Sequence, residues 1–178
     1  MRRLFALLTC LFVFAAAALA SEQRGPTTPE ERKRALEVIQ KLEADPMSPS
    51  LEQDRAWVHE WVIAAPDVHV MLCRSIVRPL QEERNSDPRN ALLLQNLLAM
   101  AAFELNNPDR AKDLVQMQLA GAQGMIRAYA NILRRMPSYK SQFMESLRAK
   151  QESGRLLAYV SEGSAECRAH GGGTQLKP

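Results

Sequence analysis

From residue 28 onward, prolines set beside N-capping residues cut the chain into pieces of helical length, and almost nothing between the cuts alternates as a strand would. Thr28-Pro29-Glu30-Glu31 is a capping box with proline at the first helical position, where its missing N–H costs nothing. The helix it opens carries Ala35, Leu36, Val38, Ile39 and Leu42 on one side and stops before Pro46. Ser48-Pro49 opens a second, with Leu51, Val58, Trp61 and Val62 facing inward, and ends before Pro66. Asp67 reads as the cap of a third, running from Val68 to about Arg78 and closed by Pro79. The polar stretch 81–86 reads as a loop.

Asp87-Pro88 starts a fourth helix, apolar almost all round through Leu92 to Leu94, Leu97, Leu98, Met100 and Phe103, and therefore central. Asn106-Asn107-Pro108 breaks it. Beyond the break, Val115, Leu119, Ala122, Ile126, Tyr129, Leu133 and Met136 recur at alternating spacings of four and three, which describes one long helix or two nearly in line. Gly121 and Gly124 interrupt that stripe and mark either a break or a close helix crossing. Pro137 ends the run. Ser138 is read as the cap of a helix carrying Phe143 and Leu147, Gly154 as its stop, and Leu156 to Val160 as a last short helix reaching Cys167.

The expected fold is all-α: a single compact domain over residues 28–167, of about six to eight antiparallel helices arranged as a bundle or as stacked helical hairpins. Residues 21–27 are expected to be a flexible lead-in, and 168–178, with three adjacent glycines, a disordered tail. Met125-x3-Tyr129-x2-Ile132-Leu133-x3-Pro137 resembles the second helix of a tetratricopeptide repeat, with bulky Met125 and Ile132 where that family prefers alanine; the resemblance implies helical hairpins.

Residues 1–20 have the three parts of a cleavable signal peptide: Arg2 and Arg3, an uncharged apolar run from Leu4 to Ala17, and the small-residue site Ala18-Leu19-Ala20. The run is shorter than the roughly 20 residues a membrane-spanning helix needs, which disfavours an uncleaved anchor. Cys10 lacks the small residue that precedes a lipid-attachment cysteine. The mature chain is thus expected to begin at Ser21 and to be exported, to a periplasm or beyond. Cleavage leaves Cys73 and Cys167, an even number in an oxidising compartment, and one disulfide between them is expected to close a loop of roughly 94 residues.

Losing Arg2 and Arg3 brings the 23 basic residues to 21 against 20 acids, so the mature chain is nearly neutral and nucleic acid is not implied as a partner. The charge is uneven, however. Residues 22–60 carry nine acids and six bases, whereas 127–155 carry seven bases and two acids. Arg127, Arg134, Arg135 and Arg148, on helices whose other side is apolar, form a candidate surface for an acidic protein or an anionic envelope surface.

Few residues suggest chemistry. His59 and His69, with neighbouring acids, are the weak candidates for a metal, but nothing places them on one face, so no cofactor is expected. No nucleophile elbow, phosphate loop or dinucleotide fingerprint occurs. Gly121-Ala122-Gln123-Gly124-Met125 resembles the Gly-Ala-x-Gly-Leu-Met-Gln segment of soluble lytic transglycosylases, and the resemblance implies Glu104, with Asn107-Pro108 following, as a glycan-cleaving acid. Leu105 stands where that family has serine, Arg127 where it has glutamine, and the spacing from Glu104 to Gly121 is too long. The seven methionines beyond Met1 suggest a third reading, a pocket for a small apolar ligand. The leading expectation is a non-catalytic exported interaction or structural protein, with lysozyme-like glycan cleavage and apolar-ligand binding as alternatives.

Overall fold

Thr28 caps the first helix, α1 (Pro29–Ala44), through the expected box: its hydroxyl accepts from Glu31 N–H at 3.1 Å and its own N–H donates to the Glu31 carboxylate at 2.8 Å. The chain is described by a computed structural model over residues 24–84, 86–169 and 173–175; the expected signal peptide and residues 21–23 lie outside the described residues. After a 3-10 turn (Pro49–Leu51) come α2 (Glu52–Ala64), a short strand β1 (Met71–Cys73), α3 (Arg74–Glu82) and α4 (Asp87–Asn106). A second 3-10 turn (Pro108–Arg110) leads to α5 (Leu114–Arg135), α6 (Gln142–Glu152), α7 (Leu156–Ala169) and β2 (Gly173–Gln175). The fold is all-α, with seven α-helices among the described residues and a two-stranded ribbon.

The hairpin of α4 and α5 is the spine. α1 packs on both of its helices, α2 packs on α1 and α4, and on the other side α6 and α7 pack on α5 while α3 lies against α4, α6 and α7. Two apolar cores result. One joins α1, α2 and α4 through Val38, Leu42, Val58, Trp61, Leu98 and Met100. The other joins α3, α5, α6 and α7 through Ile76, Leu80, Met125, Tyr129, Leu147 and Val160. Met100, Met125 and Met144 are fully buried in these cores, where they fill space between helices.

Gly121 and Gly124 lie inside the unbroken helix α5, which settles the choice left open by the sequence: they are a close crossing. A β-carbon on Gly121 would stand 2.6 Å from Asn96 Nδ2, and one on Gly124 would overlap the β-carbon of Ala99. Gly154 ends α6 with φ +69°. Arg155 N–H then bonds to Lys150 C=O at 2.8 Å and Gly154 N–H to Gln151 C=O at 3.1 Å, a Schellman stop. Cys73 and Cys167 form the disulfide, Cα to Cα 5.6 Å.

Several boundaries differ from expectation. The third helix begins at Arg74 instead of Val68, and Pro79 sits inside it. Before it, Val68 and Val70 are buried and His69 exposed, a period of two that belongs to extended chain. Pro79 removes one bond to Ser75 C=O, a loss offset by the complete burial of Ile76, Val77 and Leu80. Ser141, not Ser138, caps α6, accepting from Met144 N–H at 3.1 Å. Helix α7 is 14 residues long and not a short turn. The expected structureless tail from 168 gives way twice: Arg168 and Ala169 complete α7, and Gly173–Gln175 pairs antiparallel with Met71–Cys73. The last residue of the expected lead-in is also held, since Thr27 is buried and donates to Asp67 through N–H and hydroxyl, both at 2.9 Å.

Candidate functional site

The basic C-terminal half does not present its arginines as one open face. Arg127 forms a bidentate pair with Glu43 at the end of α1, at 2.6 and 2.9 Å, and Arg135, about two turns further along α5, is bonded to Asp45. Asn131 adds a bond to Glu43 C=O at 2.6 Å. These contacts staple α5 to the C-terminal end of α1. Arg148 pairs with Glu145 on its own helix at 3.3 Å, and Arg134 is exposed with no ion pair among the described residues.

Other cations of the same half gather elsewhere. The turn between α3 and α4, the entry to α6 and the side of α7 enclose a cleft of about 830 Å³, lined by Arg84, Lys140 and Lys150 together with Tyr139, Phe143 and Tyr159. The carboxylate among its described lining residues, Glu83, is held at one oxygen: Glu83 Oε1 accepts from Ser141 Oγ–H at 2.9 Å and from Phe143 N–H at 3.0 Å, at the N-terminus of α6. Lys150 bonds to Ser146 Oγ at 2.8 Å and lies 5.1 Å from the ring centre of Tyr159. Burial, and then the nearby charge of Glu166, raises the Tyr159 phenol above its ordinary range. Burial and the charge of Glu83 do the same for Tyr139. Both phenols therefore stay neutral, so the charge of the described lining comes from Arg84, Lys140, Lys150 and Glu83. Behind it, Tyr129 donates to Glu145 at 2.8 Å, and burial, reinforced by Glu145, pushes its phenol up to about 12.

Arg84 lies in the polar stretch read as a loop, and Lys140 and Lys150 within the basic run, so the components were visible in the sequence. Their convergence was not, because it depends on how α3 and α7 flank α6.

Glu104 and His69, put forward above for different chemistries, meet. Glu104 is 7% exposed; its Oε2 accepts from His69 N–H at 2.7 Å, and its Oε1 lies 3.1 Å from His69 Nδ1. They line a second cleft of about 480 Å³ with Asp67, Met71, Leu114 and Met117. His59 lines a different one, beside Pro46 and Asp87, so the two histidines are not joined in a common site. A glycosidase acid must hand its proton to the substrate, whereas both oxygens of Glu104 face His69. The cleft's other carboxylate, Asp67, is held by Thr27 and by Arg32 at 2.6 Å. Gly121–Gly124, the other half of that resemblance, is buried against α4.

The chain gives no match to a protein-family model, to a curated protein or to a solved structure. No described helix is long and apolar enough to cross a membrane.

Proposed function

We propose that this chain is an exported, non-catalytic interaction protein that docks an acidic segment of a partner protein in the cleft between α3, α6 and α7. The observation that carries the reading is the balance of charge in that cleft: Arg84, Lys140 and Lys150 line it against a single carboxylate among the described lining residues, Glu83, one oxygen of which is bonded to Ser141 and the α6 backbone. A volume of about 830 Å³ suits a short stretch of extended chain. Tyr139, Phe143 and Tyr159 offer apolar area to side chains between the acids. Arginines 127 and 135, committed to α1, serve the fold. Export rests on the leader-like N-terminus and is consistent with the pairing of Cys73 with Cys167.

The test is fluorescence anisotropy with a short peptide of alternating Glu and Leu, beside the same peptide with Lys for Glu. The acidic peptide is expected to bind and to weaken as salt rises. Reversing Arg84, Lys140 and Lys150 to glutamate should abolish binding, while reversing Arg134 and Arg148, which pair with no other helix among the described residues, leaves the cleft's affinity largely intact. Equal binding of both peptides, indifference to the first reversal, or capture of anionic vesicles in place of the peptide would overturn the reading.

A further inference from the structure

The second cleft carries an inference independent of that docking. Along residues 68–71 the side chains alternate: Val68 and Val70 enter the α1–α2–α4 core, and His69 and Met71 line the cleft. Residues two apart on extended chain stand about 7 Å from each other, within reach of a common point for an imidazole and a thioether. Met117, on α5, lines the same cleft.

The carboxylate of Glu104 settles which nitrogen of His69 is available. A carboxylate only accepts, so of the two neutral tautomers the one that makes this bond has its proton on Nδ1, 3.1 Å from Glu104, and leaves the Nε2 lone pair for a ligand. A buried carboxylate on one imidazole nitrogen is the arrangement that orients metal-binding histidines. The second bond, from His69 N–H to Glu104 at 2.7 Å, fixes the backbone as well as the ring.

We propose that His69 Nε2 and the thioether sulfurs of Met71 and Met117 form a binding site for a cuprous ion, with Glu104 as the positioning residue behind the histidine. One imidazole and two soft sulfurs suit Cu(I). Zinc takes four ligands from cysteine, histidine and carboxylate, and the hard divalent cations want several free carboxylates. Here Glu104 is turned to His69, and Asp67 is occupied by Thr27 and Arg32. Lys112, also lining the cleft, further disfavours a divalent ion over a singly charged one.

The test is competition for Cu(I) against a chromophoric chelator without oxygen, using the folded protein with its disulfide intact. One equivalent is expected to be taken. His69→Ala should abolish capture, and Met71→Leu, which conserves volume, should weaken it without unfolding the chain. Glu104→Gln keeps all three ligands and should weaken capture by roughly 10- to 100-fold. In NMR the methyl signals of Met71 and Met117 should move with copper, while those of Met47 and Met144 stay put. Failure to take copper, capture indifferent to His69→Ala and Met71→Leu, or equal uptake of Zn(II) would overturn the site.

Discussion

Asp67 shows how a single side chain holds a segment that sequence reading leaves loose. Its carboxylate is partly buried, which by itself would raise its pKa. The bonds from Thr27 N–H, Thr27 hydroxyl and Arg32 outweigh that and hold it below the ordinary value of 3.8. A carboxyl lowered in the folded state contributes stability above 3.8, and that contribution disappears as pH falls through the lower folded value. Asp67→Asn should therefore destabilise the protein by about 1 kcal/mol at neutral pH, a figure kept small because Arg32 is half exposed. Urea midpoints of the two proteins should converge in strong acid. A gap unchanged across that range would remove the charge from the explanation. Asp67 was read as a helix cap because it follows Pro66; its partners lie about forty residues earlier, where no local pattern points.

Among the elements, the α4–α5 hairpin depends most on missing atoms. Gly124→Ala would ordinarily favour a helix by about 1 kcal/mol. Here its β-carbon meets that of Ala99, which cannot rotate away, so the helices must part. A net loss of about 1–3 kcal/mol is expected in chemical denaturation, and a gain in stability would show the crossing to be looser than described. The cap Thr28, the proline starts of α1 and α4 and the stop at Gly154 were legible because each is a local signal read over a few residues, whereas Ser86, which caps α4, falls at the end of the stretch that reads as a loop. The stripe through α5 was legible too, although Ile132 and Met125 are more deeply buried than its members Val115 and Leu133. The start of α3 was missed because Pro66-Asp67 imitates a helix entry, while the alternation of Val68 to Met71 is only four residues long. The cap of α6 was misplaced by three residues because Ser138 and Ser141 offer the same chemistry, and only Ser141 is buried beside Glu83. Strand β2 had no signal, since its pairing depends on a partner about a hundred residues away.

At the scale of the molecule, the two cores are unequally secured. Both cysteines of the disulfide lie in the core of α3, α5, α6 and α7, and no described cysteine lies in that of α1 and α2. Reduction should cost about 2–5 kcal/mol, and hydrogen exchange should quicken first in α7 and β1, with the amides of α1 and α2 least affected. Uniform acceleration would mean that the two cores open as one unit. The candidate clefts follow this division. The basic one lies among the helices gathered by the disulfide, and the Glu104 cleft lies where the extended segment passes between the cores.

With the sulfurs joined, the backbone from Cys73 to Cys167 is a covalent ring, and α1 and α2 are an arm attached to it. A ring tolerates one cut. Trypsin acting after the exposed Lys140, in the turn between α5 and α6, should give a single band on a gel without reductant and two bands with it. The same enzyme acting at an arginine of the arm would release a fragment at once. A nick after Lys140 thus leaves Arg84 on one piece and Lys150 on the other, still tied together. The half of the molecule that presents the basic cleft can lose a peptide bond and remain one molecule.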